Sequence, residues 1–190
     1  MYFHELESFE DWDANVQALE TKLGHLSKRV NKALEIEKKY HDQPRTFTKG
    51  NYNRHPLRVA RILAEELDVL EETAILIALC HDLGEWSDYN IEDLKSEFGQ
   101  EVYEGVRVLT WDQKGEWSDF VDNIVNSNIK NLIAIKIADK LDNNRAAALS
   151  GGIEEKEKAR NKTINTILPL VKKYYPEMLK TCDEVLQRLT

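Results

Sequence analysis

The chain has 190 residues, 42% hydrophobic and 32% charged, with 8 Gly and 4 Pro, which excludes collagen-like, low-complexity and natively disordered classes. Its 34 acidic residues outnumber its 26 basic ones for a formal charge of −8. A surface of that sign has no general footprint for gripping duplex nucleic acid or an anionic membrane, so a small-molecule ligand is favoured.

Two distant cysteines, Cys80 and Cys182, make neither a disulfide framework nor a thiolate cluster and fit a reducing cytoplasm. The first residues, MYFHELESFEDWDAN, lack the basic-then-apolar order of a secretion signal. No apolar run approaches the roughly 18 residues that span a bilayer, and a cytoplasmic protein away from membranes is expected. No repeat, linker or long single-sign block divides the chain, so residues 1–190 are expected to form one unit.

In chain order, Val16, Leu19, Leu23, Leu26, Val30, Ala33 and Leu34 recur at helical spacing and predict one long amphipathic helix from Trp12 to about Tyr40. Residues 41–54, with Pro44 and Gly50 among polar neighbours, read as a loop. A helix begins at His55, with Pro56 at its first turn. Leu70 to His81 is the most continuously apolar stretch and predicts a buried central helix that ends at Gly84. Shorter helices are expected at 91–98, 100–110 and 117–127, a stronger one from Asn131, and two more at 153–173 and 176–189. Strict alternation persists nowhere, so the expected fold class is all-α.

Four residues stand out: His55 at a helix start, the adjacent His81 and Asp82 at a helix end, and Asp139 deep in an apolar helix. Each alone has an ordinary reading: a helix-terminal hydrogen bonder, a core histidine, a turn aspartate. Asp139 needs more explanation, because a carboxylate there requires a metal or a partner such as Lys136 or Lys140 to offset its desolvation. Two imidazoles and two carboxylates together form a mixed N/O set that suits manganese or iron better than zinc. Adjacent helical residues point about 100° apart, so His81 and Asp82 would grip an ion beside a helix end.

The order His55, His81-Asp82, Asp139 resembles the H…HD…D signature of HD-domain metal-dependent phosphohydrolases. The flanking residues narrow the resemblance to RelA/SpoT-type alarmone enzymes and their small single-domain relatives. YNRHPLRVA (52–60) is similar to their Y-x-x-H-P-L-x-V-A element, and HDLGEWSDYNIEDLKSEFGQEV (81–102) to HD-x-x-E-D…I…FG-x-x-V. Val108-Leu109-Thr110 resembles V-x-x-L/V-T, and IKIADKLDNNRAA (135–147) resembles K-L-A-D-R-L-H-N-M-R-T.

The resemblance implies an HD-domain helical bundle whose core spans about residues 30–150, with an N-terminal helix and C-terminal helices packed on it. It further implies Mn²⁺, or another divalent transition metal, on His55, His81, Asp82 and Asp139. The reaction implied is removal of the 3′-pyrophosphate from guanosine 3′,5′-bispolyphosphate, (p)ppGpp, to give GDP or GTP and pyrophosphate, without the synthetase activity of longer members. By position, Glu85 orients or deprotonates the water, Lys140 and Asn143 lie near the nucleotide, Tyr52 lies beside them, and Arg45 packs on the base. Trp86 stands where the family has its second acidic residue, with Asp88 two residues on as a substitute. Asp142 stands in place of a histidine and Asn144 in place of an apolar residue. These departures keep two alternatives open: an HD-type phosphatase acting on another nucleotide, and a non-catalytic nucleotide-binding module. Cys80, Trp111 and Trp117 read as packing residues, and Trp86 as a wall of the pocket.

Overall fold

The structure, a computed structural model, describes residues 11–43, 53–111 and 114–190. Among them no strand occurs, and the chain is all-α as expected. The helices are α1 (Trp12–Leu23), α2 (Lys28–Tyr40), α3 (Arg54–Glu65), α4 (Glu72–Cys80), α5 (Leu83–Trp86), α6 (Leu94–Phe98), α7 (Gln100–Leu109) and α8 (Trp117–Asn126). They continue with α9 (Leu132–Ser150), α10 (Ile153–Lys162), α11 (Leu168–Tyr174) and α12 (Leu179–Gln187). A π-helical turn at Thr163–Ile167 links α10 to α11.

The single helix expected from Trp12 to Tyr40 is two. Gly24 closes α1 with φ of +82°, a left-handed conformation that favours glycine, and Ser27 opens α2 by accepting the Val30 N–H at 3.2 Å. The apolar spacing continues across the break because both helices bury their stripes on the same core. The central helix also ends earlier than expected, at Cys80 rather than Gly84. Gly84 lies inside the short α5, where a Cβ would stand 2.9 Å from Thr110 Oγ1 and 3.2 Å from Ile91 Cγ2. Its bare backbone lets α5 approach the end of α7, where Thr110 follows Leu109.

Helices α3, α4 and α9 pack on one another at the centre, with α1 against α3, and α2 and α7 against α4. Leu57, Leu63, Ile75, Leu76, Leu79, Leu132, Ile135 and Ile137 fill the core and are fully buried. Cys80 is buried among them, and burial pushes its thiol well above the usual range, so it packs rather than reacts. The α4–α7 crossing depends on Gly105, where a Cβ would lie 2.5 Å from Ile77 Cδ1. Gly105→Ala is therefore expected to cost about 1–3 kcal/mol by overpacking, read as a lower urea midpoint with an unchanged slope. No described helix is long and apolar enough to cross a membrane.

Candidate metal centre

His55 enters from the first turn of α3, and His81 and Asp82 form the bend between α4 and α5. Asp139 enters from the middle of α9, and all four residues are buried. The α4–α5 bend answers the problem posed by adjacent residues on one helix. Because the helix stops at Cys80, His81 and Asp82 leave it together and turn towards the same point. Coordinating atoms of His55, His81 and Asp82 all lie within 4.8 Å of one another. Asp139 Oδ1 completes the set, 3.3 Å from His55 Nε2 and 4.0 Å from His81 Nε2.

Ring orientation shows that these residues fit a cation. His81 Nδ1 donates to the Ala78 carbonyl at 2.7 Å, which fixes the proton on that nitrogen and turns Nε2 inward as a lone-pair donor. Nε2 is buried without a hydrogen-bond partner. Such an orphan costs desolvation energy unless a ligand satisfies it, and a divalent ion bound among neighbouring carboxylates does so. Burial works to raise the Asp139 carboxyl, but the Lys136 and Lys140 ammoniums outweigh it and hold the group well below the usual carboxylate range. Lys136 Nζ lies 2.9 Å from Asp139 Oδ2 and Lys140 Nζ 3.8 Å from it, so the carboxylate is ready to ligate at neutral pH.

The sequence pattern of the HD domain family matches residues 52–144, a span that contains all four of these side chains. The chain carries an HD domain. It is 35% identical over 98 residues to the guanosine-3′,5′-bis(diphosphate) 3′-pyrophosphohydrolase MESH1 of Drosophila melanogaster, covering 50% of this chain and 54% of that one. It is 30% identical over 161 residues to the guanosine-3′,5′-bis(diphosphate) 3′-pyrophosphohydrolase of Aquifex aeolicus, covering 80% of this chain and 23% of that one. With a probable GTP pyrophosphokinase of Mycobacterium leprae the figures are 32% over 149 residues, 74% and 18%. The chain thus spans about half the length of the Drosophila relative and a quarter or less of the longer two. A solved structure, that of a metazoan ortholog of SpoT described as hydrolysing ppGpp, shares the fold with a TM-score of 0.60. That likeness covers 80% of this chain and 98% of the other at 23% identity.

Around the four candidate ligands the remaining expected residues divide. Glu85, on α5 one turn beyond His81, accepts the Trp111 backbone N–H at 2.6 Å. Burial first and the nearby Asp82 carboxylate second raise its pKa, and such a shift suits a proton acceptor working near neutrality. Asn143 donates to both the backbone oxygen and the carboxylate of Asp139, so it steadies a candidate ligand. Asp88 is exposed beyond the end of α5, and no described contact joins it to the cluster. Trp86 is 47% exposed at the end of the same helix. Arg45 and Tyr52 lie outside the described residues.

The HD core also gathers residues that the sequence had left separate. Trp111, Trp117 and Phe120 cluster, with the Trp111 and Trp117 ring centroids 5.3 Å apart. Lys136, Lys140 and Lys162 place their ammoniums 5.0, 4.6 and 4.5 Å from the Trp117 ring centroid. Trp117 is itself fixed by an indole N–H to Thr166 Oγ1 bond of 2.9 Å. Crowding three cations beside Asp139 has a measurable consequence. Burial, aided by Lys136 and Lys162 and opposed by Asp139, brings Lys140 down to about 8. The two remaining departures acquire roles: Asn144 donates to Thr163 Oγ1 at 2.8 Å, tying α9 to the π turn, and Asp142 pairs with His55 and Arg58. Lys162 carries no motif signal, because it lies beyond the matched segment and meets the site only through the return of α10 against α9.

Proposed function

We propose that this HD domain is a divalent-metal-dependent hydrolase that removes the 3′-pyrophosphate from (p)ppGpp, leaving GDP or GTP and pyrophosphate. The observation that carries the reading is the adjacency of two sites of opposite character. One is the buried His/Asp cluster, suited to a cation. The other is the group of three lysines on Trp117, suited to a ligand with several phosphates. The activities of the Drosophila and Aquifex relatives point the same way.

His55, His81, Asp82 and Asp139 would hold the ion, Mn²⁺ by the preference of a mixed N/O donor set, and its chemistry when bound is to polarise phosphoryl oxygens and acidify water. Glu85 takes a proton from the attacking water as the water oxygen bonds to phosphorus. The bond from phosphorus to the 3′-oxygen breaks with its electron pair left on that oxygen, and the proton taken by Glu85 is passed on to it, leaving a 3′-hydroxyl and a carboxylate ready for the next turnover. Lys136, Lys140 and Lys162 offset phosphoryl charge throughout. Arg45 and Tyr52 are assigned to the nucleotide on the resemblance, with Arg45 stacked on the base.

Incubating the protein with Mn²⁺ and ppGpp and separating the products by ion exchange tests the reading. GDP and pyrophosphate are expected, and only when metal is present. Intact ppGpp with metal-loaded protein would overturn it. Because Trp86 replaces the family's second acidic residue, the same assay would then move to a panel of other nucleotides.

The lysine group makes a second expectation. Lys140 is charged below about 8 and neutral above it, so affinity for pyrophosphate should fall as pH rises through that value. Lys140→Arg, whose guanidinium stays charged, should keep its affinity across the same range. The ratio of the two dissociation constants between pH 7 and 9 cancels the ligand's own ionisation, and a flat ratio would remove Lys140 from the phosphate contacts.

A further inference from the structure

Asp142 lies one turn beyond Asp139 on α9, and residues three apart share a helix face. The imidazole of His55 fits between these two carboxylates. Its Nε2 faces Asp139 Oδ1 at 3.3 Å, and its Nδ1 meets Asp142 Oδ2 at 2.6 Å. Asp142 has no exposed surface, and Arg58 supplies it with two further donors, Nε at 2.7 Å and Nη2 at 3.1 Å. Arg58 is itself 1% exposed and follows His55 by one turn of α3. Two helices therefore present matched pairs, His55 and Arg58 on one, Asp139 and Asp142 on the other.

The elements quoted in the sequence analysis have a histidine at the position of Asp142 and leave the position of Arg58 unrestricted. A carboxylate introduced alone at 142 would add a buried negative charge across the His55 ring from Asp82 and Asp139, a costly arrangement without a counter-charge. Arg58 provides that counter-charge in bidentate geometry.

We propose that Asp142 and Arg58 are a co-dependent pair of positioning residues: Asp142 holds the His55 proton on Nδ1 so that Nε2 presents its lone pair to the metal site, and Arg58 keeps the added carboxylate neutralised. The inference deepens the metal-dependent reading above and rests on it. Outer carboxylates on ligating histidines set ring orientation and basicity, and losing one lowers metal affinity by roughly 10–100-fold.

The test compares the unmodified protein with Asp142→Leu, which removes every acceptor for the His55 Nδ1 proton, and with the double variant Arg58→Met/Asp142→Leu. The double variant removes both charges together and so keeps the buried balance that the single one loses. Mn²⁺ titration calorimetry measures affinity, the visible spectrum of the Co²⁺-loaded protein reports the ligand field at His55, and circular dichroism verifies folding. Expected is a roughly 10–100-fold weaker Mn²⁺ affinity in the folded double variant, a changed Co²⁺ spectrum, and a melting temperature that falls more for the single variant than for the double. Unchanged Mn²⁺ affinity and Co²⁺ spectrum in the folded double variant would overturn the proposal and leave the pair a fold-stabilising contact. Failure of the unmodified protein to bind Mn²⁺ at all would overturn the metal reading itself, and this inference with it.

Discussion

Asp139→Ala is expected to abolish hydrolysis and to weaken Mn²⁺ binding by more than the roughly 10–100-fold that follows loss of an outer partner, because on the proposed reading it deletes a direct ligand. The variant also strands its counter-charges. Lys136 Nζ, buried and 2.9 Å from the carboxylate, would lose its only close anion among the described ion pairs. Breaking a buried pair from one side costs on the order of 3–5 kcal/mol, an upper figure here because Lys140, at about 8, can shed its proton in response. The metal-free variant should therefore unfold at lower urea concentration, and added Mn²⁺ should stabilise it less than it stabilises the parent. Calorimetric titration together with urea melts in both metal states checks both parts. A folded variant that binds Mn²⁺ as tightly as the parent would remove Asp139 from the ligand set.

Glu85→Gln should lower kcat by roughly 10²–10⁴-fold, the usual contribution of a positioned base, with little change in Mn²⁺ affinity. Glutamine keeps the acceptor for the Trp111 N–H, so the geometry of α5 survives while the proton acceptor is lost. The parent's rate should also fall at low pH with an inflection above the ordinary glutamate range, since burial and Asp82 raise the Glu85 pKa and a protonated carboxyl cannot accept. Asp88→Asn is the matching control for the second carboxylate suggested by the sequence. Its exposed position predicts a far smaller loss. If instead Asp88→Asn removed most of the rate and Glu85→Gln did not, the base would have to be reassigned.

The four candidate ligands were legible because each breaks a local rule. Asp139 follows the buried apolar run that opens α9, and His55 and His81-Asp82 stand at helix ends rather than on solvated faces. Their spacing also carries the family's order, which the match across residues 52–144 repeats. The helix breaks at Gly24 and at His81 were less legible, since hydrophobic periodicity continues through both. In each case the break is set by backbone conformation, a left-handed glycine in one and an early helix end in the other.

Asp142 shows where local reading stopped. In the sequence it is a departure from a pattern; in the fold it is a fully buried acceptor for His55 and Arg58, 87 and 84 residues away along the chain. The gathering of Lys136, Lys140 and Lys162 on Trp117 is of the same kind, for it needs α8, α9 and α10 to meet. Composition, helical periodicity and the H…HD…D order by themselves determined an all-α chain with a candidate metal-ligating set, because those signals arise from short-range spacing and from the cost of burying charge. Only the tertiary structure decided which buried charges neutralise one another and where the three lysine ammoniums collect, because those depend on contacts between side chains far apart in sequence that approach only when α3, α8, α9 and α10 pack.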